Sequence, residues 1–192
     1  MTKKSTKLDV KILEPILESD FKEALRIVDD NLAVVMSLSE LENEPVGRLH
    51  LAKIDNKVAG VLNLKFPGEE LSDYEEKCIT LDKINAERNE IGCVVVVAVD
   101  SKFQKMGIGR KLIQKGLREL KKTGAKVALA HIWMSSPGGA SKKSFESLGF
   151  EPVKLHEKIW FESSKKMGPE KYSCAKCGNP CRCDALEMIK YL

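Results

Sequence analysis

The chain has 192 residues, which is enough for one ordinary domain with a sizeable core and a small addition. Its 32 lysines and arginines against 28 aspartates and glutamates give a formal net charge of +4, too mild to indicate nucleic-acid binding. The longest apolar run, residues 93–99, is far shorter than the roughly 20 residues of a membrane span, so no membrane partner is expected. The lysine-rich start is not followed by an apolar run, so we expect no secretory signal and a cytoplasmic location.

The beginning of the chain predicts one strand followed by helical segments. Leu8, Val10 and Ile12 alternate with polar neighbours, which is typical of a half-buried strand. Ser19 or Asp20 can cap the helix that follows. Apolar residues then recur at helical spacing in two stretches, the first with Phe21, Ala24, Leu25 and Val28, the second with Leu32, Val35 and Met36 and an end near Pro45.

Two strands joined by a tight turn come next, and an insertion follows them. Residues 49–54 and 57–66 predict a hairpin with Asp55 and Asn56 in its turn. In the insertion, at about residues 67–90, helical spacing predicts an inserted helix with acidic flanks through Leu71, Tyr74, Cys78 and Leu81. Such a helix is either a packing decoration or a lid or wall over a substrate site.

The second half of the chain alternates strands and helices. Residues 91–99 are nearly all apolar and mostly β-branched, which predicts a central strand buried on both faces. Residues 108–123 predict an amphipathic helix that ends at Gly124. The remaining predicted elements are a strand at 126–135, a turn at 136–139, a short helix at 140–148 and a last strand at 151–161.

A Gln-x-x-Gly-x-Gly loop lies between the central strand and the helix after it. Successive backbone N–H groups in such a loop form a concave nest, and the helix start adds the positive end of its dipole, which suits a pyrophosphate. Gly107 and Gly109 carry no Cβ, so an anion can approach the backbone closely. The candidate cofactor-binding residues of this loop are Gln104, Lys105, Met106, Gly107, Ile108, Gly109 and Arg110.

This strand, loop and helix resemble the acyl-CoA-binding motif (R/Q-x-x-G-x-G/A) of the GNAT superfamily of CoA-dependent N-acyltransferases. A second segment, Ser-Phe-Glu-Ser-Leu-Gly-Phe at residues 144–150, resembles the family's F-Y-E-K-x-G-F segment. The order of predicted elements over residues 8–163 also resembles the GNAT fold. The resemblance therefore implies an α+β fold with a central, mostly antiparallel mixed sheet flanked by helices.

The resemblance implies an acyltransferase that moves an acetyl group from acetyl-CoA to a primary amine of a small molecule or a protein. It also implies that the main chain at Val97, Ala98 and Val99 contacts the pantetheine arm and the acyl carbonyl, much as an added strand would. The alternative is an acyl-CoA-binding sensor or adaptor with little catalysis. The acceptor amine and the oligomeric state, a homodimer included, stay open.

The family's usual proton-transfer groups are absent from the matching positions. Phe145 stands where many members carry a tyrosine that protonates the leaving thiolate, and Val95 stands where many carry a glutamate as general base. The candidates that could replace them are Glu90, Tyr74, Ser141, His131 and water, and none is assigned a catalytic role.

Four of the six cysteines crowd into ten residues near the end: Cys174, Cys177, Cys181 and Cys183. Without an export signal, such clustering predicts a metal site rather than disulfides, and four thiolates suit a closed structural zinc site. The two pairs are only three residues apart, so an iron–sulfur centre and metal-free redox thiols stay as alternatives. Cys78 and Cys93 predict small core residues.

The predicted organisation is an acetyltransferase domain at residues 1–168 and a cysteine-rich, metal-binding tail at residues 169–192. Gly168 and Pro169 resemble a linker between the two parts. Residues 185–192 predict a closing helical turn after the cysteines.

Overall fold

The computed structural model describes residues 9–34, 37–69 and 78–192. In chain order the elements are β1 (Lys11–Leu13), α1 (Glu18–Asn31), β2 (Ala33–Val34), α2 (Leu38–Glu42), β3 (Leu49–Ile54), β4 (Lys57–Lys65), β5 (Ile91–Val99), α3 (Ile108–Lys122), β6 (Val127–Trp133), α4 (Ala140–Glu146), β7 (Glu151–His156), α5 (Phe161–Met167), β8 (Ser173–Cys174) and β9 (Ala185–Tyr191). Among the described residues, no helix combines the length and apolar character that a bilayer crossing requires.

Seven strands form the main sheet in the order β1-β3-β4-β5-β6-β9-β7. Every neighbouring pair is antiparallel except β5 and β6, which the long crossover through α3 makes parallel. The hairpin predicted between β3 and β4 is confirmed, and both residues of its turn, Asp55 and Asn56, have positive φ. The predicted α+β fold with a mixed, mostly antiparallel sheet is confirmed.

Helices cover both faces of this sheet. On one face α3 packs Leu112 and Leu120 into a cluster that includes Val94 of β5. On the other face α1 packs Ile27 against Val96. The central strand predicted at residues 91–99 is confirmed, because β5 sends alternate side chains into both clusters.

The predicted start of the second helical stretch is wrong. Helix α1 ends at Asn31, and Ala33–Val34 form β2, which pairs with β8 from the cysteine-rich segment. The strand that pairs with β2 lies some 140 residues later in the sequence, so the local spacing of apolar residues could not predict this pairing. Helix α2 begins only after Ser37, whose Oγ accepts from the Glu40 N–H at 3.2 Å. Val35 and Met36 lie outside the described residues.

Two predictions for the end of the chain are also wrong. The strand predicted at 151–161 ends at His156, and Phe161–Met167 form α5. The helical turn predicted at 185–192 is instead β9, which lies between β6 and β7. Leu, Glu, Met and Lys favour a helix locally, but pairing on both edges decides the outcome. The division of the chain at residue 168 stays a prediction, although the last strand of the tail belongs to the main sheet.

The predicted inserted helix lies mainly outside the described residues, as Leu71 and Tyr74 do. Leu81 begins a single 3-10 turn, Leu81–Lys83. Cys78 is buried as predicted, Cys93 is half-buried, and neither forms a disulfide.

A buried histidine on β3 makes the fold sensitive to acid. His50 is 1% exposed, and in the described part of the chain neither ring nitrogen has a hydrogen-bond partner. Burial lowers the pKa of His50, the positive charge of Lys115 lowers it further, and Glu119 opposes the shift. In the unfolded chain this histidine therefore takes up a proton from about pH 6.5 downward, whereas in the folded protein it does so only at a lower pH.

The contribution of His50 to stability is consequently intact above about pH 6.5 and is lost as the pH falls below it. Replacement by leucine, which has a similar volume and no polar atoms, should remove this loss. Urea unfolding at pH 8 and at pH 5 measures the free energy of unfolding at each pH. This free energy should fall less between pH 8 and pH 5 in His50→Leu than in the wild type. An equal loss in both proteins would contradict this explanation.

Candidate functional site

A cleft opens where β5 and β6 separate. The two strands pair over only three residues, as far as Cys93 and Leu129. Beyond that point lies a cleft of about 50 Å³, lined by both strands, by α4 and by Leu32 after α1. The predicted central strand and the segment that resembles F-Y-E-K-x-G-F thus meet at one place, because Val95 and Phe145 both line this cleft.

The cleft is lined from both faces of the sheet. Ala130 and Ile132 of β6 pack with Phe145 on the face that α3 covers. Side chains alternate along a strand, so His131 and Trp133 lie on the opposite face. A group held between β5 and β6 could therefore be approached from either side of the sheet.

The edge of β5 that faces the cleft carries backbone groups that β6 does not reach. The Asp100 N–H donates to the Ala59 carbonyl at 3.0 Å, and Ala98 lies opposite Val61, so the backbone groups of these β5 residues point to β4. The backbone groups of Val97 and Val99 then point to the cleft. An extended ligand can pair with such an edge as an added strand.

A β-bulge lies at the start of this open edge. Asn63 is opposite Val96 and Leu64 is opposite Val94, so Val95 is the extra residue on β5. Val95 is 45% exposed at the cleft. Its side chain cannot transfer a proton.

Phe145 is a packing residue. It is 4% exposed and makes an edge-to-face contact with Phe150, with ring centroids 4.9 Å apart. Of the other candidates for proton transfer, Ser141 lines the cleft, Tyr74 lies outside the described residues, and Glu90 forms an ion pair with Lys126.

The predicted phosphate-binding loop lies directly after the open edge of β5. Lys105 and Gly107 have positive φ values of 62° and 77°. A Cβ on Gly107 would meet nothing within 4 Å, so the left-handed backbone, and not a lack of space, favours glycine there. Ile108 is 1% exposed, so it can offer only its backbone to a ligand, while Gln104 and Met106 are exposed.

The loop ends in the positive end of a helix dipole. The N–H groups of Ile108, Gly109 and Arg110 begin α3, and within the described ranges no acceptor is assigned to them. The exposed side chains of Lys105 and Arg110 add positive charge. The arrangement suits an anion with several oxygens, such as a pyrophosphate.

Helix α1 holds this loop in place through two contacts that the sequence did not reveal. Arg26 Nη2 donates to the Oδ2 atom of buried Asp100 at 2.5 Å, and this hydrogen bond holds the pKa of the Asp100 carboxyl below its usual range. Gln104 Nε2 donates to Asn31 Oδ1 at 3.2 Å and to the Val99 carbonyl at 3.1 Å. More than seventy residues separate Arg26 from Asp100, so no local pattern could predict their pairing.

His131 belongs to a partly buried polar cluster on the face opposite α3. Its Nε2 lies 2.8 Å from the Cys78 carbonyl oxygen, and its ring contacts the ring of His156 edge to face, with centroids 5.5 Å apart. His156 Nε2 lies 3.0 Å from Oε2 of the fully buried Glu187. Neither His156 nor Glu187 is a candidate from the sequence alone, because the local pattern predicts a terminal helical turn around Glu187.

The four clustered cysteines come together as predicted. The Sγ atom of Cys183 is 3.8 Å from that of Cys174 and 3.7 Å from that of Cys177, and the Cys177 and Cys181 sulfurs are 3.8 Å apart. A tetrahedral zinc ion with Zn–S distances of about 2.3 Å would separate its sulfurs by about 3.8 Å. No disulfide joins the described cysteines, so the arrangement fits a metal better than disulfides.

Backbone amides also point at these sulfurs. The Lys176 N–H lies 3.4 Å from the Cys174 Sγ, and the Arg182 N–H lies 3.3 Å from the Cys177 Sγ. Trp133 and Trp160 pack against the cluster. The cysteine segment therefore contacts Trp133, a side chain that also lines the cleft.

Comparison with protein-family models matches residues 12–150 to the acetyltransferase (GNAT) family. The comparison with curated proteins finds no match. Among solved structures, the ribosomal-protein-alanine N-acetyltransferase from Brucella melitensis is 20% identical, with a TM-score of 0.64 and coverage of 95% of this chain and 99% of that one.

Two further structures have the same fold. The NatC complex bound to Gag peptide and CoA is 15% identical with a TM-score of 0.67, covering 96% of this chain and 99% of that chain. The ribosomal-protein-S18-alanine N-acetyltransferase from Escherichia coli is 17% identical with a TM-score of 0.59, covering 95% and 93%. At these identities the likeness shows the fold.

Proposed function

The chain belongs to the acetyltransferase (GNAT) family and transfers an acetyl group from acetyl-CoA to an amine, and we propose that it does so across the cleft between β5 and β6. In this proposal residues 104–110 hold the pyrophosphate, the open edge of β5 holds the pantetheine arm, and the amine arrives on the face of His131. The proposal rests on a strand edge from which β6 departs beyond Cys93 and which leads directly into the amide-rich start of α3.

The loop supplies both charge and shape for the pyrophosphate. The amides of Ile108, Gly109 and Arg110 and the exposed side chain of Lys105 surround one concave surface. Holding the cofactor beside a bound amine converts a two-body reaction into one within a complex, which can supply several kcal/mol of the barrier. The NatC structure similar to this chain is described as bound to CoA, which supports a cofactor role for the shared fold.

The pantetheine arm would pair with the cleft-facing backbone of Val97 and Val99. An N–H aimed at the carbonyl oxygen of the thioester would stabilise the charge that develops there, and one such donor can contribute about 3 kcal/mol. The thioester carbon would then lie where β5 and β6 diverge, within reach of the face that carries His131.

Amide formation needs a proton acceptor. The amine nitrogen attacks the thioester carbon, the C–S bond breaks, and the nitrogen loses a proton. The reference thiol pKa of about 8.5 lets CoA leave as a thiolate without a proton donor, so Phe145 does not prevent the reaction. The thiolate later takes a proton from water.

We assign the proton acceptor to His131. A carbonyl oxygen can only accept, so Nε2 must carry the hydrogen that it shares with the Cys78 carbonyl. In that tautomer Nδ1 carries the ring's lone pair and can accept a proton. His131 is also the histidine that lines the cleft.

The four cysteines would hold one structural zinc ion. Four thiolates fill a tetrahedral shell, so such an ion has no position left for substrate and supplies folding energy rather than chemistry. A cluster of thiolates that binds zinc rather than forming disulfides would also suit a reducing compartment, which supports the cytoplasmic location.

Replacing Gly107 by aspartate should weaken acetyl-CoA binding by about tenfold or more. The change strains a backbone with a φ of 77° and adds a negative charge beside the pyrophosphate. Calorimetry with acetyl-CoA measures the affinity. Gly124→Asp is the matched control, because its φ is 89° and its Cβ would also meet nothing within 4 Å, but it lies at the far end of α3. Equal affinities in the two variants would show that the loop does not hold the cofactor.

Protein purified without an affinity tag should contain one zinc ion per chain. Cys177→Ser combined with Cys183→Ser should abolish it, because two of four thiolates are lost, whereas Cys93→Ser, outside the cluster, should retain it. Elemental analysis and thiol titration decide the matter. Substoichiometric zinc with four freely titrating thiols in the cluster would refute the metal site.

A further inference from the structure

We propose that Glu187 and His156 are positioning residues that hold His131 in its base-competent state. Both come from strands that follow residue 150, where the family match ends. The inference rests on the proposed role of His131 and adds residues to that site.

Glu187 is the centre of this cluster. Its side chain is fully buried, and on β9 it lies directly opposite His131 of β6. Its Oε1 accepts from the Thr80 N–H at 2.9 Å, and its Oε2 accepts from the Thr80 hydroxyl at 2.5 Å. The same Oε2 lies 3.0 Å from His156 Nε2. A buried carboxylate is stable only with such partners, so His156 donates its Nε2 hydrogen here.

Both hydrogen-bond partners of Glu187, Thr80 and His156, are connected to the proposed base, His131. Thr80 follows Cys78 by two residues, and the Cys78 carbonyl fixes the hydrogen of His131 on Nε2. The His156 ring meets the His131 ring at 77°, which restricts the rotation of His131 about its side-chain bonds. One buried carboxylate therefore controls both the tautomer and the orientation of the base.

The same three side chains could suggest a metal site, since their ligand atoms lie within 4.8 Å of one another. The hydrogen bonds argue against it. Both oxygens of Glu187 already have donors, and within the described ranges no atom of the three side chains is buried without a partner. These hydrogen bonds satisfy the Glu187 carboxylate without a metal ion.

The test is Glu187→Gln, which keeps the size of the side chain and removes its charge. It should lower kcat by about tenfold and leave the KM for acetyl-CoA unchanged, because it loosens the base without removing it. Nitrogen-15 NMR should show His131 as the Nε2–H tautomer in the wild type and as a mixture in the variant. Glu157→Gln, the same change at an exposed position after β7, is the control and should alter neither.

His131→Gln separates this inference from the proposal on which it rests. A kcat within a few-fold of the wild type in His131→Gln would refute the base itself, whose loss should cost about a hundredfold or more. A large loss there, with kcat and the His131 tautomer unchanged in Glu187→Gln, would overturn the positioning role alone. A metal ion bound at these three side chains would also overturn it.

Thr80→Val covers the case in which Glu187→Gln does not fold. It removes only the hydroxyl that reaches Glu187, and it should produce the same tautomer change and a smaller loss of kcat. If a folded Thr80→Val protein keeps the wild-type kcat and the wild-type tautomer of His131, the proposal that Glu187 acts on His131 through Thr80 and the Cys78 carbonyl is wrong.

Discussion

β5 and β6 run parallel but share hydrogen bonds over three residues only, and the site exists because they then diverge. β6 can leave β5 because β9 pairs with all seven of its residues on the other side. β5 keeps its pairing with β4 and presents its other edge to the cleft. An extended substrate arm can then take the place of a strand that would otherwise fill the sheet.

A bulge, the contacts that hold the loop after β5, and the polar cluster around Glu187 all lie next to that open edge. The bulge at Val95 lies where the open edge begins, and the pairs Arg26–Asp100 and Asn31–Gln104 attach the following loop to α1. The loop thus presents its amides from a fixed position, which limits the entropy lost when an anion binds. The polar cluster around Glu187 lies on the other face and places His131 beside the same gap. In the proposed reaction the pantetheine arm would lie at the gap between β5 and β6, and the amine would arrive from the face that carries His131.

Prediction from the sequence is correct where the signal is local. The apolar run of β5 and the spacing of the four cysteines each lie within a short stretch, and they correctly predicted the central strand and the clustering of the sulfurs. The binding role that the loop glycines indicate stays a prediction. Prediction from the sequence fails where distant segments decide the structure. Residues 185–191 have helical preferences but become β9 because two strands pair with them, and Ala33 joins β2 because Cys174 lies opposite it. Glu187 became a candidate functional residue only once β9 was placed in the sheet.

A crystal structure with bound CoA tests the account most directly. The account predicts the pyrophosphate on the amides of residues 108–110 and the pantetheine arm hydrogen-bonded to the backbone of Val97 and Val99, with the sulfur in the gap between β5 and β6. It also predicts that His131 stays on the face opposite Phe145, next to that sulfur. CoA bound elsewhere, or β6 paired with β5 along its whole length, would contradict the account.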